Sequence, residues 1–148
     1  MDKILLIEDN EDDVALTLRA FRKNNIANDV MVARDGREAL DRFAPGGPFG
    51  PESNELPSLV LLDLKLPRVS GMEVLRELRD DPRTSLLPVV ILTSSDEDRD
   101  RVEGYALGAN SFVRKPVDFS DFAEAIRLLG LYWLVLNRPA TPPRVPGE

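Results

Sequence analysis

The chain has 148 residues and a formal net charge of −7, with no Cys and no His. That length fits about one domain burying roughly 68–70% of its unfolded surface, enough for a core without staples. The missing residue types exclude disulfides, thiolate chemistry, His-ligated metals, Ser-His-Asp catalysis and a phosphohistidine on this chain, so any catalysis falls to carboxylates, Lys, hydroxyls or a hard metal ion.

The acidic balance, without a long run of Lys and Arg, argues against nucleic acid as a direct partner. The N-terminus enters a strand at once (MDKILLIEDN), with no n-region and h-region of a signal peptide. No apolar run approaches the ~20 residues that span a bilayer. The expectation is a soluble, cytoplasmic protein without membrane contact.

Strand and helix patterns alternate along the chain. Strand 1 covers 3–7 (KILLI), and helix 1 about 11–24 places Val14, Leu18 and Phe21 on one face. Strand 2 covers about 29–33, and helix 2 about 36–43 is opened by Asp35 with Glu38 at N3. Strand 3 covers 58–63; helix 3, about 71–80, starts at the capping box of Ser70 and Glu73. Strand 4 covers 88–93, and helix 4 about 97–107 stops at Gly108. Strand 5 covers 110–114 and helix 5 about 119–137. Five such units with short connections predict a doubly wound α/β fold, a parallel sheet covered by helices on both faces. Residues 44–57 (APGGPFGPESNELP) interrupt the pattern with three Gly and four Pro. They read as a long loop, of the kind that is usually functional or disordered; a tolerated insertion is the plainer account.

The strands end on chemically active residues. Glu8 and Asp9 follow strand 1, Asp63 ends strand 3, Thr93 ends strand 4 and Lys115 follows strand 5. In a doubly wound sheet the carboxyl ends of the strands form the ligand crevice, so these five should converge. Each has a plainer reading alone. Glu8 and Asp9 suit the positive end of helix 1, Thr93 with Ser94 and Ser95 suits the cap of helix 4, and Lys115 suits a surface turn before Pro116. A calcium loop starting at Asp9 fails, because position six is Val14 and position twelve is Ala20. A phosphate-cradling loop after strand 1 fails as well, because carboxylates there repel the anion. Asp63 is harder to dismiss. It ends the most hydrophobic strand (LVLLD), where a lone carboxylate is costly unless paired or solvated. Mg²⁺ would relieve the repulsion between three clustered carboxylates, with Lys115 contributing, and Asp63 would then be free to act as a phosphoryl acceptor.

The motifs ILLIEDNEDD, LVLLDLKLPRVSG, VVILTSS and GANSFVRKP resemble those of two-component response-regulator receiver domains, over roughly residues 2–130. The resemblance implies a flavodoxin-like fold with five parallel strands in the order 2-1-3-4-5. It implies Mg²⁺ bound by Asp9, Asp63 and the backbone carbonyl of Lys65, with Glu8 acting mainly through water. Asp63 would accept the phosphoryl group of a kinase phosphohistidine, while Thr93 and Lys115 bind its oxygens. Such a chain catalyses its own phosphorylation and slow dephosphorylation while serving mainly as a switch. Phosphorylation would draw Thr93 inward and let Phe112 rotate from exposed to buried; plain core packing of Phe112 is the alternative. The Lys115–Pro116 bond is often cis in this family. Lys65 stands where a smaller polar residue is common, and is expected to change the lifetime of the phosphorylated form.

Only about twenty residues follow the receiver core, which suggests a stand-alone receiver: domain 1–137 with an extended helix 5, then a Pro-rich tail, 138–148. In IRLLGLYWLVLN, the residues Ile126, Leu129, Trp133 and Leu136 share a face that can cover the sheet, while Leu128, Leu131, Tyr132 and Val135 lie on other sides. A helix apolar all round is normally buried all round, so these positions, with Trp133, are expected to form a homodimer; the long loop or tail folding over them is the alternative. The extension, tail and long loop resemble the small response regulators paired with phytochrome-type histidine kinases, which makes such a kinase the implied partner. A dehalogenase-type phosphatase would want Asp where Lys65 stands. A degenerate scaffold receiver would have lost a cluster residue, and a passive dimerisation module would need neither Mg²⁺ nor Asp63.

Overall fold

The computed structural model describes residues 3–26, 28–95, 97–116, 118–138 and 140. Five strands form one sheet, β1 (Lys3–Ile7), β2 (Asp29–Ala33), β3 (Leu59–Leu62), β4 (Val89–Thr93) and β5 (Ser111–Arg114). Every pairing is parallel and the order is β2-β1-β3-β4-β5, as expected. The helices are α1 (Glu11–Lys23), α2 (Gly36–Asp41), α3 (Gly71–Asp80), α4 (Asp98–Ala106) and α5 (Phe119–Gly130).

The central strands read as unbroken apolar runs because both of their faces are covered. Alternate residues feed two cores. Leu5, Val60, Leu62, Val89 and Ile91 meet Ala39 of α2 and Val74, Leu75 and Leu78 of α3. Ile4, Leu6, Leu59, Leu61, Val90 and Leu92 meet Val14 and Phe21 of α1 and Phe122 and Ile126 of α5. Strand alternation divides β5 in the same way, with Phe112 packed on the first core and Val113 on the second.

The helix starts follow the sequence signals. Asp35 accepts from the Glu38 N–H at 2.7 Å, and Ser70 accepts from the Glu73 N–H at 3.2 Å. Gly108, at φ +98°, follows α4 in the left-handed conformation that a helix stop requires. The 44–57 loop is a series of turns pinned by Phe49, which is fully buried against Phe43. Its carbonyl accepts from the Arg83 guanidinium at 2.5 Å. An aromatic anchor thus docks the loop on the first core.

Three expectations need correction. Helix 5 is not one α-helix over 119–137: α5 stops at Gly130 and a π-helical turn runs from Leu131 to Leu136. Gly130 is buried, and a Cβ there would lie 2.4 Å from Ile26 Cδ1, so its bare backbone lets the helix close on the α1–β2 connection. The wider π winding rotates the apolar stripe. Leu134 packs with Leu129 and Trp133 on the second core, whereas Leu136 is 60% exposed instead of covering the sheet. Finally, no peptide bond among the described residues is cis, so Lys115–Pro116 is trans. Of the Pro-rich tail, all but Arg138 and Ala140 lies outside the described residues. Among those described, no helix is long and apolar enough to cross a membrane.

Candidate functional site

The strand order reverses between β1 and β3, and there the register sets Ile7 beside Leu62. The next residues, Glu8 and Asp63, therefore leave neighbouring strands at the same level. Two backbone bonds fix them: the Asp63 N–H donates to Ile7 O at 3.0 Å, and the Glu8 N–H donates to Ala33 O at 2.9 Å. Behind Asp63 the start of α3 presses close. A Cβ on Gly71 would fall 2.3 Å from the Asp63 carbonyl oxygen, so any other residue there would displace the end of β3.

Carboxylate oxygens of Glu8, Asp9 and Asp63 lie within 4.8 Å of one another. Glu8 and Asp63 are buried and Asp9 is exposed at the mouth of an open cleft of about 510 Å³. Lys115 reaches them because its N–H donates to Thr93 O at 2.7 Å, which holds the β5 end beside the β4 end. Its ammonium bridges Glu8 Oε2 at 2.5 Å, Asp13 Oδ2 at 2.8 Å and Asp63 Oδ2 at 3.1 Å. Burial pushes the Glu8 carboxyl up to about 7, with the Asp63 charge adding to the rise and the Lys115 hydrogen bond and charge opposing it. Burial by itself would lower the Lys115 pKa, but bonds to Asp13 and Glu8 and the charge of Asp63 outweigh it, so the ammonium is held above its usual range.

Glu8, Asp9, Asp63 and Asp13 bring four carboxylates to the site, and among the described residues one ammonium, Lys115, bonds three of them. All the donors are hard oxygens, the ligand type of Mg²⁺, Mn²⁺ and Ca²⁺. The residues therefore fit a divalent cation held by Glu8, Asp9 and Asp63. The Lys65 N–H faces Asp63 Oδ1 at 3.5 Å, and its exposed side chain lines the cleft.

Four of the five strand-end residues thus meet around the cleft. Thr93 sits differently. It is fully buried, its Oγ1 accepts from the Ser95 N–H at 3.3 Å, and Ser94 takes the place at the cleft wall. Ser95 Oγ donates to Asp100 Oδ2 in the first turn of α4 at 2.5 Å, but none of these hydroxyls caps the helix, whose N-cap is Glu97 without a side-chain bond. Phe112 is half-buried. Its N–H, on the outer edge of the sheet, donates to the Tyr105 hydroxyl of α4 at 3.2 Å. Asp13 was not expected in the cluster; it lies 102 positions from Lys115, and only its place four residues beyond Asp9, in the first turn of α1, hints at the contact.

Far from the cleft, Leu128, Leu131, Tyr132, Val135 and Leu136 are all between 43% and 60% exposed. Trp133 differs from the rest of the expected contact set, since it is half-buried on the second core with Tyr132 edge-on at 5.0 Å.

Residues 4–127 match the family model of the response regulator receiver domain. The probable methanogenesis regulatory protein FilR2 of Methanothrix harundinacea is 39% identical over 94% of this chain and 88% of its own length. Response regulator Rcp1 of Synechocystis is 32% identical over 88% of each chain. The Mn²⁺-bound form of a response regulator Rcp1 superposes with a TM-score of 0.82 at 30% identity, over 95% of this chain and 100% of the other. The phosphorylated cyanobacterial phytochrome response regulator RcpA gives a TM-score of 0.86 at 31% identity, over 95% and 99% of the two chains. The bacteriophytochrome response regulator AtBRR is 48% identical with a TM-score of 0.72, over 93% and 99%. With this topology, this cluster and these matches, the chain belongs to the response regulator receiver domain family.

Proposed function

We propose that the protein is a phosphoacceptor switch in a two-component system, with Asp63 taking a phosphoryl group from a histidine kinase in a Mg²⁺-dependent step. The observation that carries this is the convergence of the Glu8, Asp9 and Asp63 oxygens within 4.8 Å beneath the Lys115 ammonium. A carboxylate oxygen of Asp63 attacks phosphorus; the P–N bond of the donor phosphohistidine breaks and its electron pair returns to the imidazole, which takes up a proton. Glu8, Asp9, Asp63 and the carbonyl of Lys65 would hold Mg²⁺, which would neutralise charge on the phosphoryl oxygens. Lys115 stabilises the same charge from the β5 side.

Thr93 is the residue through which the switch acts. Its buried hydroxyl turns toward the phosphoryl group, and Phe112, half-buried on the neighbouring edge strand β5, moves into the space released. Phosphorylation is then a local charge event that biases a two-state element. The exposed patch formed by Leu128, Leu131, Tyr132 and Val135, with Trp133 behind it, serves as a homodimer interface. RcpA and AtBRR support a phytochrome-type kinase as the donor, and AtBRR is more identical to this chain than FilR2 is.

The test is incubation with acetyl phosphate, with and without Mg²⁺, beside Asp63→Asn, read by intact mass. One phosphoryl group is gained only when both Mg²⁺ and Asp63 are present. Labelling that persists in Asp63→Asn sinks the assignment.

A further inference from the structure

The Lys115 ammonium has three N–H donors, and three carboxylates take them all: Glu8, Asp13 and Asp63. Those three acids are not equivalent. The side chains of Glu8 and Asp63 are 3% and 9% exposed, whereas that of Asp13 is 30% exposed. The backbone that carries Asp13 is fixed, because its N–H donates to Asn10 Oδ1 at 3.1 Å and its carbonyl accepts from Thr17 Oγ1 at 2.8 Å. Its carboxylate therefore approaches Lys115 from a rigid first turn of α1, on the solvent side of the cluster.

We propose that Asp13 is a positioning residue that competes with the incoming phosphoryl group for Lys115. The proposal rests on the reading of Asp63 as phosphoacceptor. For Lys115 to reach a phosphoryl oxygen carried by Asp63, one of its three bonds must open. Opening the Glu8 bond would strand a buried carboxylate without its cation, which is strongly unfavourable. Opening the Asp13 bond leaves a carboxylate that water already reaches. The Asp63 bond runs to Oδ2 and survives when the phosphoryl group attaches to the other oxygen, Oδ1, so the Asp13 bond is the one exchanged. While it is intact it draws the ammonium toward α1 and away from the site of transfer. Asp13 stands outside the three-carboxylate cluster that would hold the cation, so its effect persists when the metal is saturating.

The experiment measures the rate of phosphoryl gain from acetyl phosphate at saturating Mg²⁺, by intact mass, in wild type, Asp13→Asn, Asp13→Glu and Asp12→Asn. Asp12 is an exposed neighbour lining the same cleft, so Asp12→Asn removes the same charge without touching the Lys115 bonds. Thermal denaturation establishes that each variant is folded. Loss of a part-exposed ion pair predicts labelling about 2- to 5-fold faster in Asp13→Asn. Asp13→Glu and Asp12→Asn should label at the wild-type rate. An unchanged or slower Asp13→Asn overturns the proposal. So does an equal acceleration in Asp12→Asn, which would mean bulk charge alone, or in Asp13→Glu, which keeps the carboxylate. A wild type that takes no phosphoryl group at all refutes the acceptor reading and the proposal with it; a labelled wild type with an unaltered Asp13→Asn refutes the proposal alone.

Discussion

Replacing Lys115 by Met keeps most of the stem but removes the cation from a site in which its side chain is only 9% exposed. Glu8 and Asp63 are then left buried without a bonded positive charge. Breaking a buried pair from one side costs about 3–5 kcal/mol. The part-exposed Asp13 and the readiness of Glu8 to take up a proton reduce this to about 2–3 kcal/mol near neutral pH. The loss depends on pH in a defined direction. Glu8 titrates at about 7 in the folded protein against an ordinary 4.5. Between those values the folded state holds the extra proton, so wild-type stability falls as pH rises, by at most about 1.36 kcal/mol per unit, and levels off above pH ~7. Without Lys115 the bond and attraction that hold Glu8 down are gone. Its carboxyl rises further, and the variant should go on losing stability above pH ~7. Urea unfolding of both proteins at pH ~6 and pH ~8, without metal, should show a deficit larger by about 1 kcal/mol at the higher pH. Mg²⁺ at a hundred times its Kd should return about 2.7 kcal/mol, and should bind the variant more tightly because its competing cation is absent. A variant as stable as wild type at the higher pH, or a deficit equal at both, would refute the reasoning.

The exposed Lys65 side chain lines the cleft, where it would obstruct water attacking a phosphorylated Asp63. Lys65→Ala should therefore shorten the half-life of phosphorylated protein more than about twofold once donor is removed; an unchanged half-life rejects the role. Leu131, 43% exposed on the π-helical turn, lies within the proposed dimer patch. Leu131→Asp should weaken self-association at least about tenfold by light scattering while leaving labelling of Asp63 intact, and an unaltered dimer places the contact elsewhere.

Most of the fold was legible because its strands carry their own signal. Runs such as LVLL and VVIL are continuous and apolar, as strands buried on both faces must be, and Asp35 and Ser70 mark the starts of α2 and α3. Phe49 was not legible as an anchor. It sits among Gly and Pro in a stretch with no period, and its burial depends on Phe43 and Arg83 from elsewhere in the chain. The π-helical turn escaped for a related reason. The sequence LYWLVL is compatible with α winding, and the π turn begins directly after Gly130, where the backbone packs closely on Ile26.

By itself the sequence determined the alternating elements, the strand-end position of Glu8, Asp9, Asp63, Thr93 and Lys115, and hence the chemistry they can perform, because a strand's end and a residue's functional group are local properties. Only the tertiary structure decided how that chemistry is shared out. It buried Thr93 behind Ser94, turned Leu136 to solvent, and brought Asp13 to Lys115 as a third carboxylate. Those outcomes depend on distances between segments far apart in the chain, which are set by packing and helix phase rather than by any local pattern.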